Sequence, residues 1–210
     1  MLSASEALVC LQEGNRRYVA GGGAGSTDLN PARRSELVAG QAPWAVILGC
    51  SDSRVPVEIL FDRGLGDLFV VRVAGNIVTQ SQLGSVEYAV ERFGTRLLVV
   101  LGHSHCGAVG AALKEIEHPA DNLPVNLRWL VDRIRPAIER LTDSELRNNP
   151  ESLAREAIRM NIRASINHLR QGSPVIEERI HTDGLLLVAA EYSLATGVVD
   201  FFDGLPGPGG

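Results

Sequence analysis

The sequence lacks any long apolar run and any long block of one charge. No stretch of its 210 residues reaches the ~20 apolar residues that a helix needs to cross a bilayer, so we expect no membrane-spanning segment. The 20 Lys and Arg and the 25 Asp and Glu are interspersed and give a net charge of −5, without the basic patch typical of nucleic-acid binding. A small neutral or anionic substrate fits this chain better than nucleic acid or a membrane.

Cysteine is scarce, and a secretory signal is not evident. Two of the three Cys belong to the motifs described below, and Cys10 is left without a partner, which favours a reducing compartment. Residues 1–20 have a helical pattern rather than the basic end and uninterrupted apolar stretch of a signal. We therefore expect a cytoplasmic protein.

The order of apolar runs and helical patterns predicts an α/β fold. No linker divides the chain, and its length suits one domain over 1–210. Strands are predicted at 44–49, 68–73, 97–102, 185–190 and 198–202, and helices at 1–20, 31–40, 81–93 and 107–117, with two longer helices within 124–172. Strands that alternate with helices form a parallel sheet, and the last two predicted strands form a hairpin. We expect about four parallel strands plus an antiparallel edge strand, flanked by helices, with an N-terminal helical arm (1–40) and a flexible tail (203–210).

The arm has recognisable helix boundaries. Ser3 and Glu6 have the spacing of a capping box, so the first helix begins there and ends in the glycine-rich stretch 21–25. Asn30 is predicted to cap a second, short helix that ends near Gly40. Leu8, Leu11, Tyr18 and Val19 form the expected apolar side of the first helix.

Two polar motifs each follow a predicted buried strand. Cys50-Ser-Asp52-Ser-Arg54 comes after the first strand, and His103-Ser-His-Cys106 comes after the third. Open α/β sheets bind their ligands at the carboxyl ends of such strands. Two thiolates and one imidazole suit tetrahedral zinc, and three protein ligands leave a fourth position for water, as in catalytic sites. Buried cysteines are often only small hydrophobes, but that reading does not account for two ordered motifs at strand ends.

These motifs resemble the CxDxR and HxxC pattern of the β-class carbonic anhydrases. The resemblance continues through residues 11–15, 66–72, 74–76 and 84–88, and covers roughly Ser3–Phe202. It implies that Cys50, His103 and Cys106 bind zinc and that Asp52 and Arg54 form a catalytic pair for the interconversion of CO2 and bicarbonate. It also implies a homodimer or homotetramer with the active-site cleft at the subunit boundary.

The net charge of zinc and its three ligands explains why such a site needs Asp52 and Arg54. Zinc with two thiolates and a neutral imidazole is formally neutral, so it polarises its water less strongly than a site with three neutral ligands would. Asp52 can orient the resulting hydroxide by accepting its hydrogen bond, while a bidentate Arg54 holds the carboxylate and keeps it off the metal. If Arg54 releases it, Asp52 becomes the fourth metal ligand. Two alternatives remain: a COS or CS2 hydrolase on the same scaffold, and a non-catalytic zinc-binding protein, which would need neither Asp52 nor Arg54.

Several nearby residues need separate interpretation. Ile47 stands where some bacterial relatives have a Trp that helps to form a bicarbonate pocket, and an aliphatic side chain cannot donate a hydrogen bond. We therefore expect no such pocket, and Asp52 paired to Arg54 near neutral pH. Arg63 replaces a Gln of many relatives and either contacts an anion in the neighbouring cleft or turns to solvent. Arg72 is expected to form a structural ion pair or, less favoured, to bind an anion. His105 is left out of the ligand set because it directly precedes Cys106.

Overall fold

A computed structural model describes residues 2–22 and 31–207. The helices are α1 (Ala4–Val19), α2 (Pro31–Leu37), α3 (Val57–Leu60), α4 (Gln80–Phe93), α5 (Gly107–Glu117), α6 (Val125–Ile138), α7 (Pro150–Gly172) and α8 (Pro174–Thr182). The strands are β1 (Ala45–Gly49), β2 (Leu68–Arg72), β3 (Leu97–His103), β4 (Leu186–Tyr192) and β5 (Val199–Asp203). No helix in the described ranges is long and apolar enough to cross a membrane.

The strands form one five-stranded sheet in the order β2-β1-β3-β4-β5. The pairs β1/β2, β1/β3 and β3/β4 are parallel, and β5 is an antiparallel edge strand beside β4. The predicted fold class is therefore confirmed. From β1 the chain crosses first to β2 and then to the other side, to β3, so the strand order reverses between β1 and β3. Ligands of open α/β sheets bind at such a switch point.

Alternate residues of the central strands enter two separate cores. Val46 and Leu48 of β1 face a core that helices α4–α8 cover, and Ile47 faces a second core that includes residues of α1 and α3. All five residues of β1 and all seven of β3 are buried. Strands of a parallel sheet covered on both faces read as continuous apolar runs, which is why these two could be predicted from sequence.

Helix α1 is fixed at its start and in its middle. Ser3 and Glu6 form the predicted capping box, with the Ser3 backbone N–H donating to Glu6 at 2.8 Å and the Glu6 N–H donating to the Ser3 hydroxyl at 3.2 Å. At Gly14 the helix lies so close to α3 that an added Cβ would be 1.8 Å from the carbonyl oxygen of Phe61. Only glycine fits this crossing.

Asn15, the next residue, joins α1 to two distant segments. Its buried amide donates to the carbonyls of Leu60 (3.2 Å) and Gly197 (2.9 Å), and its side-chain oxygen accepts from the N–H of Val199 (2.8 Å). One side chain therefore satisfies the backbone groups of both α3 and the β4–β5 turn.

The structure differs from the sequence predictions in detail. Helix α8 was not predicted. The first of the two longer helices predicted within 124–172 ends as α-helix at Ile138 and continues as a 3-10 turn. Val19 is 44% exposed rather than packed, and α2 ends at Leu37. The expected cap Asn30, residues 23–25 and the last residues of the expected tail, 208–210, lie outside the described residues.

Candidate metal centre and active site

The ends of β1 and β3 bring the two motifs together at the switch point. Cys50 directly follows β1, His103 is the last residue of β3, and Cys106 directly precedes α5. The sulfur and nitrogen atoms of these three buried residues all lie within 4.8 Å of one another. The predicted ligand residues are thus adjacent in space.

His103 presents one ring nitrogen to this cluster. Its Nδ1 lies 2.9 Å from the carbonyl oxygen of Ser104, which can only accept, so Nδ1 carries the proton and Nε2 of the neutral ring has a free lone pair. Nε2 is buried without a hydrogen-bond partner among the described residues. A buried polar atom of this kind normally has a partner, and a second ring nitrogen fixed by a carbonyl is typical of metal-binding histidines.

The two thiols have pKa values shifted in opposite directions. The pKa of Cys50 is lowered to about 4, chiefly by the hydrogen bond from the Cys106 thiol and further by that from the Gly75 N–H. The pKa of Cys106 is raised, first because Cys50 holds its proton by that hydrogen bond and then by burial. For His103, burial lowers the pKa, but the nearby Cys50 sulfur and its charge outweigh burial and raise it. A divalent cation would release the Cys106 proton, because thiolates and not thiols are the ligands.

The donor set fits zinc. Bonds of about 2.0–2.3 Å in a tetrahedral shell place ligand atoms roughly 3.3–3.8 Å apart, so the observed cluster, whose ligand atoms lie within 4.8 Å of one another, would contract by at most about 1–1.5 Å. The position of Cys106 before the first turn of α5 also favours a thiolate, since the helix N-terminus carries partial positive charge. Cys50, His103 and Cys106 can therefore hold a metal ion.

Asp52 lies beside this cluster under the control of Arg54. Arg54 donates from Nε to Oδ1 (2.9 Å) and from Nη2 to Oδ2 (2.7 Å), and its backbone N–H also donates to Oδ1 (3.0 Å). These hydrogen bonds hold the pKa of Asp52 well below its usual range. Asp52 Oδ2 is 3.8 Å from His103 Nε2, so the carboxylate borders the cluster without replacing any of its three members.

Arg72 supports loop 50–54 through two hydrogen bonds to its backbone. Within the described residues it does not form the expected ion pair. Its Nε donates to the carbonyl of Cys50 (2.9 Å) and its Nη2 to the carbonyl of Asp52 (2.7 Å). Both interpretations offered by the sequence, ion pair or anion contact, missed these backbone acceptors. The several donors of one guanidinium allow Arg72 to bind both carbonyls at once.

Arg63 does not turn to solvent, one of the two positions predicted for it. Its guanidinium lies 5.1 Å from the centre of the Trp44 ring and hydrogen-bonds the carbonyl of Cys10 on α1. Cation–π stacking and a partly buried carbonyl hold the side chain against its own chain. His105 is exposed, and its ring is not part of the metal-ligand cluster.

A turn outside both motifs completes the site. Residues 74–76 form a 3-10 turn after β2, and the Gly75 N–H donates to Cys50 Sγ at 3.3 Å. The turn is held in place by buried side chains of α7, which carries neither motif. No local pattern announces these contacts, because they join a backbone carbonyl to a residue more than 80 positions away.

Comparison with known proteins identifies the family. A carbonic anhydrase family model matches residues 45–199. The chain is 42% identical to carbonic anhydrase 2 of Mycobacterium tuberculosis over 193 residues, covering 89% of this chain and 87% of that protein. The chain therefore belongs to the carbonic anhydrase family.

Solved structures agree on the class. The fold matches a β-carbonic anhydrase of Aspergillus fumigatus with a TM-score of 0.73, 26% identity and coverage of 84% and 83% of the two chains. It also matches a β-carbonic anhydrase of Sordaria macrospora, described as tetrameric, with a TM-score of 0.70, 28% identity and coverage of 82% and 87%. The resemblance to the β class noted from the two motifs is thus confirmed.

Proposed function

We propose that this chain catalyses the zinc-dependent, reversible hydration of CO2 to bicarbonate and a proton. Cys50, His103 and Cys106 would hold the zinc, and Asp52 and Arg54 would be the catalytic pair. The observation that carries the proposal is a carboxylate fixed by two guanidinium hydrogen bonds at the edge of a buried cluster of two cysteines and a histidine. Storage of zinc would require the cluster alone.

Zinc, when bound, would supply the Lewis acidity that turns water into a nucleophile at neutral pH. The protein's part is orientation. Asp52 accepts three hydrogen bonds from Arg54, and the free side of its Oδ2 borders the cluster, ready to accept a proton-bearing group held there. With its direction fixed in advance, the carboxylate need not reorganise during the reaction.

Charge state supports the same role. A lowered pKa keeps Asp52 ionised throughout the neutral range, so it acts as a hydrogen-bond acceptor and not as a proton donor. Arg54 also keeps both carboxylate oxygens engaged. If the guanidinium let go, Asp52 itself could become the fourth metal ligand and would exclude water.

The first experiment measures the metal and the substrate together. Protein purified without added metal should contain about one zinc per chain by elemental analysis and should hydrate CO2 in a stopped-flow pH-indicator assay. Chelator-treated protein should lose activity and regain it with zinc. A metal-free protein that zinc cannot activate would disprove the proposal.

Two other functions are separated by parallel assays. COS and CS2 hydrolysis is tested with the same zinc-loaded protein, and a rate above that with CO2 would change the assigned substrate. A protein that binds zinc tightly but turns over none of the three gases would be a non-catalytic zinc protein. The Asp52–Arg54 pair favours catalysis over this last outcome.

We also propose that the chain forms one domain, assembles as a homodimer or homotetramer and acts in the cytoplasm. Support for assembly comes from the tetrameric relatives in Sordaria and from exposed apolar side chains on α1 (Val9, Val19) and before β5 (Val198). Support for the cytoplasm comes from three free cysteines. Light scattering during size-exclusion chromatography tests the assembly, and cell fractionation tests the location.

A further inference from the structure

The sulfur of Cys50 receives a hydrogen bond from a turn outside both sequence motifs. The Gly75 N–H donates to Cys50 Sγ at 3.3 Å, and both groups are buried. A hydrogen bond to a thiolate withdraws charge from the sulfur. The sulfur then donates less charge to a bound cation, which keeps more of its Lewis acidity.

This turn needs external support to hold its shape. Gly75 has φ +71° and Asn76 has φ +43°, so two successive residues have left-handed backbone, which for a residue with a side chain is costly. A Cβ at Gly75 would lie 2.8 Å from Ile134 Cδ1 and 3.1 Å from the Ala108 Cβ. The turn thus lies close against α5 and α6, and the left-handed backbone of Asn76 persists only where the surrounding structure holds it.

Helix α7 holds those carbonyls. Asn161 Nδ2 donates to the carbonyl of Gly75 at 2.8 Å, and Ser165 Oγ donates to the carbonyl of Asn76 at 2.8 Å. Both side chains are 2% exposed and lie one helical turn apart, on the face of α7 that meets the turn. Polar side chains buried this deeply are costly unless their hydrogen bonds are made, so these two contacts fix helix and turn relative to each other.

We propose that Asn161 and Ser165 are positioning residues for the metal centre: through the 74–76 turn they aim the Gly75 N–H at Cys50 Sγ and so set the donor strength of that ligand. This inference rests on the proposed function, since it requires Cys50 to bind the metal. It assigns a role to α7, which carries no metal-binding motif and no member of the catalytic pair.

The test replaces each donor and reads the metal directly. Asn161→Ala and Ser165→Ala should weaken zinc binding about 10-fold, measured by competition with a chromophoric chelator, because loss of the fixed position of Cys50 outweighs the stronger donation of its sulfur. In the cobalt-loaded proteins the thiolate-to-metal charge-transfer band should move to longer wavelength, because a sulfur without its hydrogen bond is the better electron donor. Ser165→Thr keeps the hydroxyl and should restore both values.

A matched control separates positioning from loss of stability. Leu153→Ala removes a buried side chain from the first turn of the same helix, away from residues 74–76, and should destabilise the fold without moving the cobalt band. An unchanged band and affinity in folded Asn161→Ala and Ser165→Ala would overturn the inference, and so would an equal shift in Leu153→Ala. If Asn161→Ala does not fold, the Ser165→Ala and Ser165→Thr pair decides. Failure of the wild-type protein to bind zinc would instead refute the proposed function.

Discussion

The two loops of the site are held in different ways. Loop 50–54 is held by exposed guanidinium groups: Arg54 on the Asp52 carboxylate and Arg72 on the carbonyls of Cys50 and Asp52. Loop 103–106 is held mainly by neutral contacts to the β4–β5 hairpin, in which the Ser104 N–H donates to Tyr192 O and the Leu194 N–H donates to Ser104 Oγ, both at 2.9 Å. One charged contact adds to them, from Arg54 Nη2 to the carbonyl of His105 at 3.3 Å.

This difference predicts different roles for loops 50–54 and 103–106. Hydrogen bonds from exposed arginines compete with water, so loop 50–54 can exchange partners at modest cost. The neutral contacts to the hairpin are partly shielded from water, so loop 103–106 should hold its ligands more firmly. We therefore expect changes at the arginines to alter mainly the rate, and changes around Ser104 to alter mainly metal binding.

The largest effect is expected from loss of a ligand in the fixed loop. Cys106→Ser should remove most of the zinc and nearly all CO2 hydration, because a hydroxyl with a high pKa is a poor substitute for a thiolate. Cys50→Ser should behave in the same way, and Cys10→Ser serves as the matched control. Elemental analysis and stopped-flow hydration measure both effects. Full zinc content with near-normal activity would remove either cysteine from the ligand set.

Next in size is the charged pair of the exchangeable loop. Arg54→Ala should keep its zinc but lose activity by about 10²-fold or more, the usual cost of a lost positioned electrostatic group. Arg54→Lys should recover little, since an ammonium cannot reproduce the two parallel hydrogen bonds. Activity within about twofold of wild type would show that Asp52 does not depend on Arg54.

Arg72 should matter less, because it touches only backbone. Arg72→Met keeps most of the side-chain length and removes both hydrogen bonds to the loop, so we expect about a 10-fold fall in kcat/KM with zinc retained. Steady-state hydration rates and metal content measure the two quantities. If Arg72→Met instead loses zinc while its rate at full zinc occupancy stays normal, then the two Arg72 hydrogen bonds support Cys50 as a ligand more than they support Asp52.

In loop 103–106, Ser104→Ala should have a smaller effect, and it should lower zinc affinity rather than the catalytic rate. The variant loses the hydroxyl that Leu194 N–H donates to, while the carbonyl that orients His103 remains. We expect zinc affinity to fall about fivefold, the value of one hydrogen bond, with a normal rate once zinc is saturating. A slow enzyme at full zinc occupancy would contradict the assigned difference between the loops.

The smallest effect concerns bicarbonate. Ile47 is fully buried in β1 and has no donor, while Asp52 is paired to Arg54. We therefore predict no steep, cooperative inhibition of the wild-type enzyme by bicarbonate near pH 7. Activity measured against bicarbonate concentration tests this, and crystals grown near pH 7 should show Asp52 off the metal. Cooperative inhibition would show that loop 50–54 exchanges partners without the Trp.

Sequence patterns predicted the parts of this molecule that depend on local chemistry. Local signals are present for the apolar runs of β1 and β3, the capping box of α1, the end of α4 at Gly94 and the two motifs. No local sequence signal indicated the role of Arg72 or the support from Asn161. Each of these side chains donates to a backbone carbonyl, and every residue has a backbone carbonyl. Helix α8 was missed because it follows α7 after a single residue, Ser173.

The junction at Asn15 has a consequence for the order of events during synthesis. Its three hydrogen bonds reach across 45, 182 and 184 residues of chain. At about 5–20 residues per second, Val199 is made roughly 10–40 s after Asn15, so α1 cannot complete its docking before then. Through that interval α1 lacks two of the three hydrogen bonds of Asn15. Because contacts between distant segments are slow to form, completion of this junction should be among the last steps of folding.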